Sequence, residues 1–137
     1  MKRLCLILAV LMTFVSVGLN GQTTYKLDMS THNHVYNTCN AYFYDNNTSG
    51  NYLNNEDYWI TFCPNTPNRR IVLDFEMFNL DASDYMRIYQ GIDTNTELFN
   101  FAATNSTMMS GADLSGQTVT PAPTDTSGCL TVRFTSD

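Results

Sequence analysis

The feature that most constrains the fold is a series of short segments in which apolar and polar residues alternate. The clearest example is residues 71–78, in which Asp74 and Glu76 lie on one face. The other face is apolar and carries Ile71, Leu73, Phe75 and Met77. A period of two is typical of a strand that is buried on one face, so residues 71–78 are predicted to form a strand.

Similar segments recur along the chain, separated by turns rich in Asn, Asp, Gly and Ser. Further strands are predicted at residues 25–27, 41–44, 58–63, 85–89, 97–102, 117–120 and 130–135. No segment shows the 3.6-residue period of an amphipathic helix. A chain of 137 residues has room for one small core. The predicted fold is therefore all-β, an antiparallel two-sheet β-sandwich, with the polar residues 31–38 irregular.

The N-terminus has the pattern of a secretory signal peptide. Lys2 and Arg3 precede an apolar run over residues 4–19, which is shorter than the roughly 20 residues of a bilayer-spanning helix. Residues 1–21 are therefore predicted to be a signal peptide, with an N-terminal anchor helix as the alternative. After signal removal we expect no membrane span and a secreted protein, extracellular or at the cell surface, where disulfides form.

Charge and motifs exclude several functional classes. With seven Lys and Arg residues and a net charge of −6, the chain has no basic stripe for binding nucleic acid. Gly-x-Ser-x-Gly, His-Glu-x-x-His and phosphate-loop motifs are absent from the sequence, so the protein is predicted not to be an enzyme. His32, His34 and Cys39 form a weak zinc candidate, because no second well-spaced ligand pair accompanies them.

Three cysteines remain after the predicted signal peptide, which is an odd number for a secreted chain. Cys39 and Cys63 flank the first two strands of the core and are predicted to form a disulfide. Cys129 is then unpaired, either as a buried free thiol or because its partner lies beyond residue 137. The apolar strand at 130–135 ends close to residue 137 without a covering element, which favours the second explanation.

Four motifs in order resemble those of CUB domains. The first runs from Cys39 through Asn-Asn-Glu-Asp-Tyr to Cys63-Pro64, and the second is the Phe-x-Leu-acidic turn of residues 78–81. The third is Asp-Tyr-x-x-Ile-Tyr-x-Gly at 84–91, and the fourth is Leu-Thr-x-x-Phe-x-Ser-Asp at 130–137. The Asn-Asn-Glu-Asp-Tyr motif and the Cys-Pro after the strand are similar to those in CUB domains of secreted bacterial proteins. The resemblance implies a jelly-roll-like CUB domain over 39–137, preceded by a lead-in segment over 22–38. Family members continue to a further strand and cysteine, so the domain is expected to lack its last strand.

The resemblance also implies a calcium site. In calcium-binding CUB domains the ligands are the acidic residue after Phe-x-Leu, the Asp that opens the next strand and the Asp of the Ser-Asp ending. The matching residues here are Asp81, Asp84 and Asp137, with Tyr52 in the position of a supporting tyrosine. Calcium prefers such carboxylate oxygens. The alternative is that Asp81 and Asp84 are turn formers and that Asp137 has no ligand role.

Three functional classes follow from these observations. The first is a secreted, non-catalytic binding or adhesion module that engages an extracellular protein or glycan through its loops, with calcium ordering the acidic loop. The second is an accessory domain at the N-terminal end of a larger secreted enzyme, such as a peptidase, whose catalytic part lies elsewhere. The third is a structural surface unit without a bound ion. Fold resemblance alone names no partner.

Overall fold

A computed structural model of the protein describes residues 22–47, 51–76, 78, 80, 81, 83–102 and 116–137. The predicted signal peptide, residues 1–21, lies outside these ranges. Regular secondary structure in the described residues consists of nine strands. They are β1 (Thr23–Lys26), β2 (His34–Thr38), β3 (Ala41–Tyr44), β4 (Asp57–Pro64), β5 (Leu73–Phe75), β6 (Tyr85–Gln90), β7 (Glu97–Ala102), β8 (Gln117–Val119) and β9 (Leu130–Thr135). The described ranges contain no helix of the length and hydropathy needed to cross a membrane. The all-β prediction is confirmed.

The strands form one large sheet and two short ladders. The five-stranded sheet has the order β2-β4-β9-β6-β7, and the two-stranded ladders are β1-β3 and β5-β8. Both ladders contribute side chains to the core that lies against the large sheet. Tyr25 of β1 and Phe43 of β3 contact Phe62 of β4, and Leu73 and Phe75 of β5 belong to the same buried cluster.

Two strand pairs run parallel, which differs from the antiparallel arrangement expected throughout. They are β1 with β3 and β2 with β4. The chain alternates between the β1-β3 ladder and the large sheet, so each of these pairs is joined by a crossover rather than by a hairpin. Such connections bring two strands together in the same direction. Residues 22–38 thus supply two paired strands, and the segment 31–38, expected to be irregular, contains β2.

The core is built from alternate residues of the central strands. In the register of β4 and β9, Ile60 lies opposite Val132 and Phe62 lies opposite Leu130, and all four side chains are buried. Each fully buried aliphatic or aromatic side chain of this kind contributes about 1.5–3 kcal/mol relative to an exposed one. The strand predicted at 71–78 is short in the structure, where β5 spans Leu73–Phe75, and Met77 lies outside the described residues.

The disulfide joins Cys63 to Cys129, so the prediction that Cys39 pairs with Cys63 is wrong. Cys39 has a free, exposed thiol, and Cys129, expected to be unpaired, is bridged. The reason is strand register. Phe62 lies opposite Leu130 in the antiparallel pair of β4 and β9, so Cys63, which follows Phe62, faces Cys129, which precedes Leu130. Their Cα atoms are 4.3 Å apart, close to the spacing of directly opposed residues in an antiparallel pair.

Candidate functional site

The polar loops at one end of the large sheet are brought together by strand register. Asp57, at the start of β4, and Tyr85, at the start of β6, both lie opposite Thr135, near the end of β9. The loops before β4 and β6 therefore meet the segment that follows β9. We call this region the acidic end and define it by the residues that form it: Tyr52, Glu56, Asp81, Asp84 and Asp137.

Asp84 is the buried centre of the acidic end, with 2% of its surface exposed. Its Oδ2 atom accepts a hydrogen bond from the hydroxyl of Tyr52. Its Oδ1 atom accepts one from the backbone N–H of Asp137 at 3.0 Å. Within the described part of the chain, no Lys, Arg or His forms an ion pair with Asp84. A buried carboxylate needs hydrogen-bond donors or a cation to offset its lost hydration. The hydrogen bonds from the Tyr52 hydroxyl and the Asp137 N–H therefore hold Asp84 in place.

Tyr52 links Asp84 to Asp81. Its hydroxyl accepts a hydrogen bond from the backbone N–H of Asp81 at 2.6 Å, and its ring contacts Phe134 edge-on, with ring centroids 4.7 Å apart. Burial, together with the hydrogen bond to Asp84, raises the pKa of Tyr52 far above its ordinary value. The hydroxyl therefore stays protonated across the physiological range and remains the donor to Asp84.

Glu56 fixes the segment after β9 through its backbone. Its N–H donates to Ser136 Oγ at 3.0 Å, and its carbonyl accepts from the Ser136 N–H at 2.9 Å. Ser136 Oγ also donates to the carbonyl of Leu53 at 2.7 Å, while the Asn55 N–H donates to the carbonyl of Asp137 at 3.2 Å. This clamp positions the Asp137 N–H that donates to Asp84.

The side chain of Glu56 is itself buried, with 5% of the residue exposed. Asn46 Nδ2 donates a hydrogen bond to Glu56 Oε1. Glu56 Oε2 and Asn46 Oδ1 are buried and have no hydrogen-bond partner in the structure. Burial raises the pKa of Glu56 above its usual 4.5, because burial disfavours the charged form. Sequence reasoning assigned no role to Glu56, although it lies in the Asn-Asn-Glu-Asp-Tyr motif.

The structure brings the four residues of the predicted calcium site together, but mainly through their backbones. Asp81 and Asp137 contribute N–H groups to the network, and Asp84 and Tyr52 contribute side chains. The Asp84 N–H also donates to the carbonyl of Asp81 at 3.2 Å. Among the described residues, no three Asp, Glu, His or Cys side chains converge closely enough to hold a metal ion.

The weak zinc candidate is likewise not assembled. The His32 ring packs against Trp59 with ring centroids 4.0 Å apart, and His34 Nδ1 lies 3.0 Å from the carbonyl oxygen of His32. These contacts give the two histidines separate roles, because His32 packs against Trp59 and His34, at the start of β2, lies beside a main-chain carbonyl. Cys39 belongs to no group of metal-ligating side chains in the described part of the chain.

The sheet face opposite the core carries a second charged group. Arg133 donates two hydrogen bonds to Asp57, at 2.8 and 2.7 Å. Its guanidinium carbon lies over the Trp59 ring, 5.5 Å from the ring centroid. Arg87 lies opposite Arg133 in the β6–β9 register and approaches Glu97 at 3.9 Å. These pairings offset the repulsion between the two arginines, so we regard this face as structural.

Comparison with known proteins gives no further constraint on the site. No family model, no curated protein and no solved structure matches this chain.

Proposed function

We propose that this chain is a secreted, non-catalytic binding module of the CUB type that engages an extracellular protein or glycan through its acidic end, with calcium ordering the loops. The observation that carries the proposal is the Tyr52–Asp84–Asp137 network, in which the buried Asp84 carboxylate accepts hydrogen bonds from the Tyr52 hydroxyl and from the backbone N–H of the exposed Asp137. The motifs at 39–64, 78–81, 84–91 and 130–137 support the family assignment, and the all-β strand arrangement is compatible with it.

The chemistry of the donor set suits a hard cation. Asp81 and Asp137 are exposed, and their backbones are already fixed against Tyr52 and Asp84. In the proposed site, the carboxylates of Asp81 and Asp137 would turn toward Asp84 while these backbone hydrogen bonds stay in place. Calcium, when bound, would supply positive charge among three carboxylates whose mutual repulsion disfavours a common geometry without it.

The protein's own residues would then present the binding surface. Tyr52 holds Asp84 by hydrogen bonding, and the Glu56–Ser136 backbone pair holds the segment after β9. The outward oxygens of Asp81 and Asp137 would accept a basic group from a protein partner or hydroxyl groups from a glycan. In this arrangement, loop geometry set by the strands determines which partner fits, and no covalent step is required.

Thermal unfolding with and without calcium tests the proposal. At free calcium about tenfold above the dissociation constant, the expected stabilisation is about 1.4 kcal/mol, which is a rise in Tm of roughly 5 °C for a domain of this size. Asp84→Asn should remove the shift. Asp93→Asn, in an exposed turn where Asp93 accepts a hydrogen bond from the Asn95 N–H, is the matched control and should retain it.

Two further measurements keep the test decisive. Asp81→Asn changes an exposed residue and should weaken the calcium response without loss of folding, which covers the case in which Asp84→Asn does not fold. Magnesium at the same concentration should give a smaller shift, because it demands a stricter octahedral geometry. An unchanged Tm in calcium, or a full shift that persists in Asp81→Asn and Asp84→Asn, would contradict the proposed site.

A further inference from the structure

Two neighbouring side chains, one of them at the acidic end, each carry a buried oxygen atom without a hydrogen-bond donor. The atoms are Glu56 Oε2 and Asn46 Oδ1. The two side chains already touch, because Asn46 Nδ2 donates a hydrogen bond to Glu56 Oε1. Each group therefore uses one polar atom on the other group and leaves its second polar atom unpaired. A buried acceptor without a donor is costly, so one further donor is expected between these two groups.

The charges that act on Glu56 from neighbouring segments are negative. Glu56 is 5% exposed, and within the described residues it forms no ion pair with Lys, Arg or His. Burial raises its pKa, and the charges of Asp45, after β3, and Asp28, after β1, act in the same direction. Hydrogen bonds from the Leu53 N–H and from Asn46 act the other way. The surroundings thus favour a neutral carboxyl group.

A proton on the carboxyl group can supply the missing donor. A neutral carboxylic acid has one O–H donor and keeps an acceptor oxygen, and a side-chain amide has N–H donors and a C=O acceptor. With a proton on Oε2, Glu56 can donate to Asn46 Oδ1 while Asn46 Nδ2 donates to Glu56 Oε1. All four groups are then paired. Ionised Glu56 leaves two buried acceptors without a donor.

We infer that Glu56 donates a proton on Oε2 to Asn46 Oδ1, and that this reciprocal pair, the Glu56–Asn46 latch, ties the loop after β3 to the start of β4. Asn46 lies in that loop, since β3 ends at Tyr44, and Glu56 directly precedes β4. The latch also holds the segment after β9, because the backbone of Glu56 is hydrogen-bonded to Ser136. It is closed while Glu56 is neutral and opens when Glu56 ionises. No step requires calcium, so the latch goes beyond the proposed binding function.

Carbon-13 NMR of labelled glutamate carboxyl groups follows the titration of Glu56. Glu56→Gln removes one resonance and so identifies that of Glu56. We expect this resonance to titrate above the usual range of a glutamate. A calcium chelator is present throughout, so a failure of the latch is distinct from a failure of the proposed calcium site.

Asn46→Leu distinguishes the latch from a single hydrogen bond, because Leu is close to Asn in size and offers no polar atom. In the latch, Asn46 forms two hydrogen bonds with the neutral acid and one with the ionised group, so its removal should lower the pKa of Glu56. An Asn46 that only donates favours the ionised group, and its removal should raise that pKa. Asn95→Leu, in the exposed turn between β6 and β7, is the matched control and should leave the pKa of Glu56 unchanged.

Urea denaturation measures the latch independently. In Glu56→Gln, the new side-chain amide can donate to Asn46 Oδ1 and accept from Asn46 Nδ2 at every pH. In this background, Asn46→Leu should raise the equilibrium constant for unfolding about tenfold at both pH 4 and pH 8, as the loss of two hydrogen bonds predicts. In the parent, the same substitution should have this effect at pH 4 and a smaller effect at pH 8.

Hydrogen exchange shows whether the latch extends to the segment after β9. The Ser136 N–H donates to the carbonyl of Glu56. It should exchange more slowly in Glu56→Gln than in the parent at pH 8, and at the same rate in both proteins at pH 4. Comparing two proteins at one pH cancels the pH dependence of the intrinsic exchange rate. This comparison does not depend on the folding of Asn46→Leu.

Three results would overturn the inference. A higher pKa of Glu56 in Asn46→Leu would show that Asn46 acts only as a donor. An equal effect of Asn46→Leu on the unfolding of the parent at pH 4 and pH 8 would exclude a proton-dependent pair. Equal exchange of the Ser136 N–H in Glu56→Gln and in the parent at pH 8 would show that ionisation of Glu56 releases nothing.

Discussion

The hydroxyl of Tyr52 donates a hydrogen bond to the buried carboxylate of Asp84 and thereby joins the loop before β4 to the loop before β6. The same oxygen accepts the N–H of Asp81. One phenol group thus organises three parts of the acidic end, and the raised pKa of Tyr52 keeps it a donor.

Tyr52→Phe should therefore be strongly destabilising for a change of one oxygen atom. It leaves Asp84 buried with one fewer donor, and the expected loss in the free energy of unfolding is about 1–3 kcal/mol. Urea denaturation measures it. Tyr42→Phe, at an exposed position on β3, is the control and should change stability by less than about 0.5 kcal/mol. Equal effects of the two substitutions would show that the Tyr52 hydroxyl is not a structural link.

The Cys63–Cys129 disulfide should carry much of the stability of the sheet. It closes a loop with a sequence separation of 66 residues, for which chain entropy predicts about 4 kcal/mol. Replacing both cysteines with Ser should lower the free energy of unfolding by about 2–5 kcal/mol, whereas Cys39→Ser should have little effect. Peptide mapping of the unreduced protein should recover Cys63 linked to Cys129, and a Cys39–Cys63 linkage would contradict the structure.

The stability of the protein should depend on the protonation of Glu56. Burial raises the pKa of Glu56 in the folded state above the usual 4.5, so the folded state binds the proton more tightly than the unfolded state does. The resulting stabilisation is fully present below pH 4.5 and is lost as pH rises through the raised pKa. Glu56→Gln should therefore be more stable than the parent at neutral pH, and the difference should shrink as pH falls. Urea denaturation from pH 4 to 8 measures it, with Asp93→Asn as the control. A difference that is constant with pH would contradict this explanation.

The Arg133–Asp57 pair should have the opposite pH dependence. Hydrogen bonds from Arg133 lower the pKa of Asp57 below its usual 3.8. The stabilisation of the folded state by the ionised Asp57 is therefore present above pH 3.8 and is lost as pH falls through the lowered pKa. Arg133→Gln should cost about 0.5–1 kcal/mol at pH 7, since both partners are partly exposed. Arg133→Lys should recover only part of this loss in the free energy of unfolding, because a lysine side chain cannot donate two parallel hydrogen bonds to Asp57. Full recovery by Lys would show that charge alone matters.

The fold class was predictable because period-two alternation survives in most strands. The segments at 41–44, 85–89 and 130–135 lie within or match β3, β6 and β9. The strand β2 was missed because its sequence, His-Val-Tyr-Asn-Thr, is polar and its residues are exposed or half-buried. Its pairing with β4 depends on a crossover that local sequence does not encode.

Pairings between distant residues were the least predictable part. The disulfide depends on the register of β4 and β9, which brings together residues that are 66 positions apart. Spacing along the chain instead favoured Cys39, whose thiol is exposed. At the acidic end, the motif resemblance found Tyr52 and Asp84, whose side chains are hydrogen-bonded. It assigned no role to Glu56, because burial and the clamp on Ser136 arise only in the folded chain.

Calorimetric titration of calcium into the purified protein measures binding at the acidic end. We expect a saturable heat signal with one calcium ion per chain, abolished in Asp84→Asn and retained in Asp93→Asn. We also expect a weakened signal in Tyr52→Phe, because the hydroxyl no longer holds Asp84 in place. No heat of binding in the folded wild-type protein, or an unchanged titration in Asp84→Asn, would contradict the claim that the acidic end is a calcium-ordered binding site.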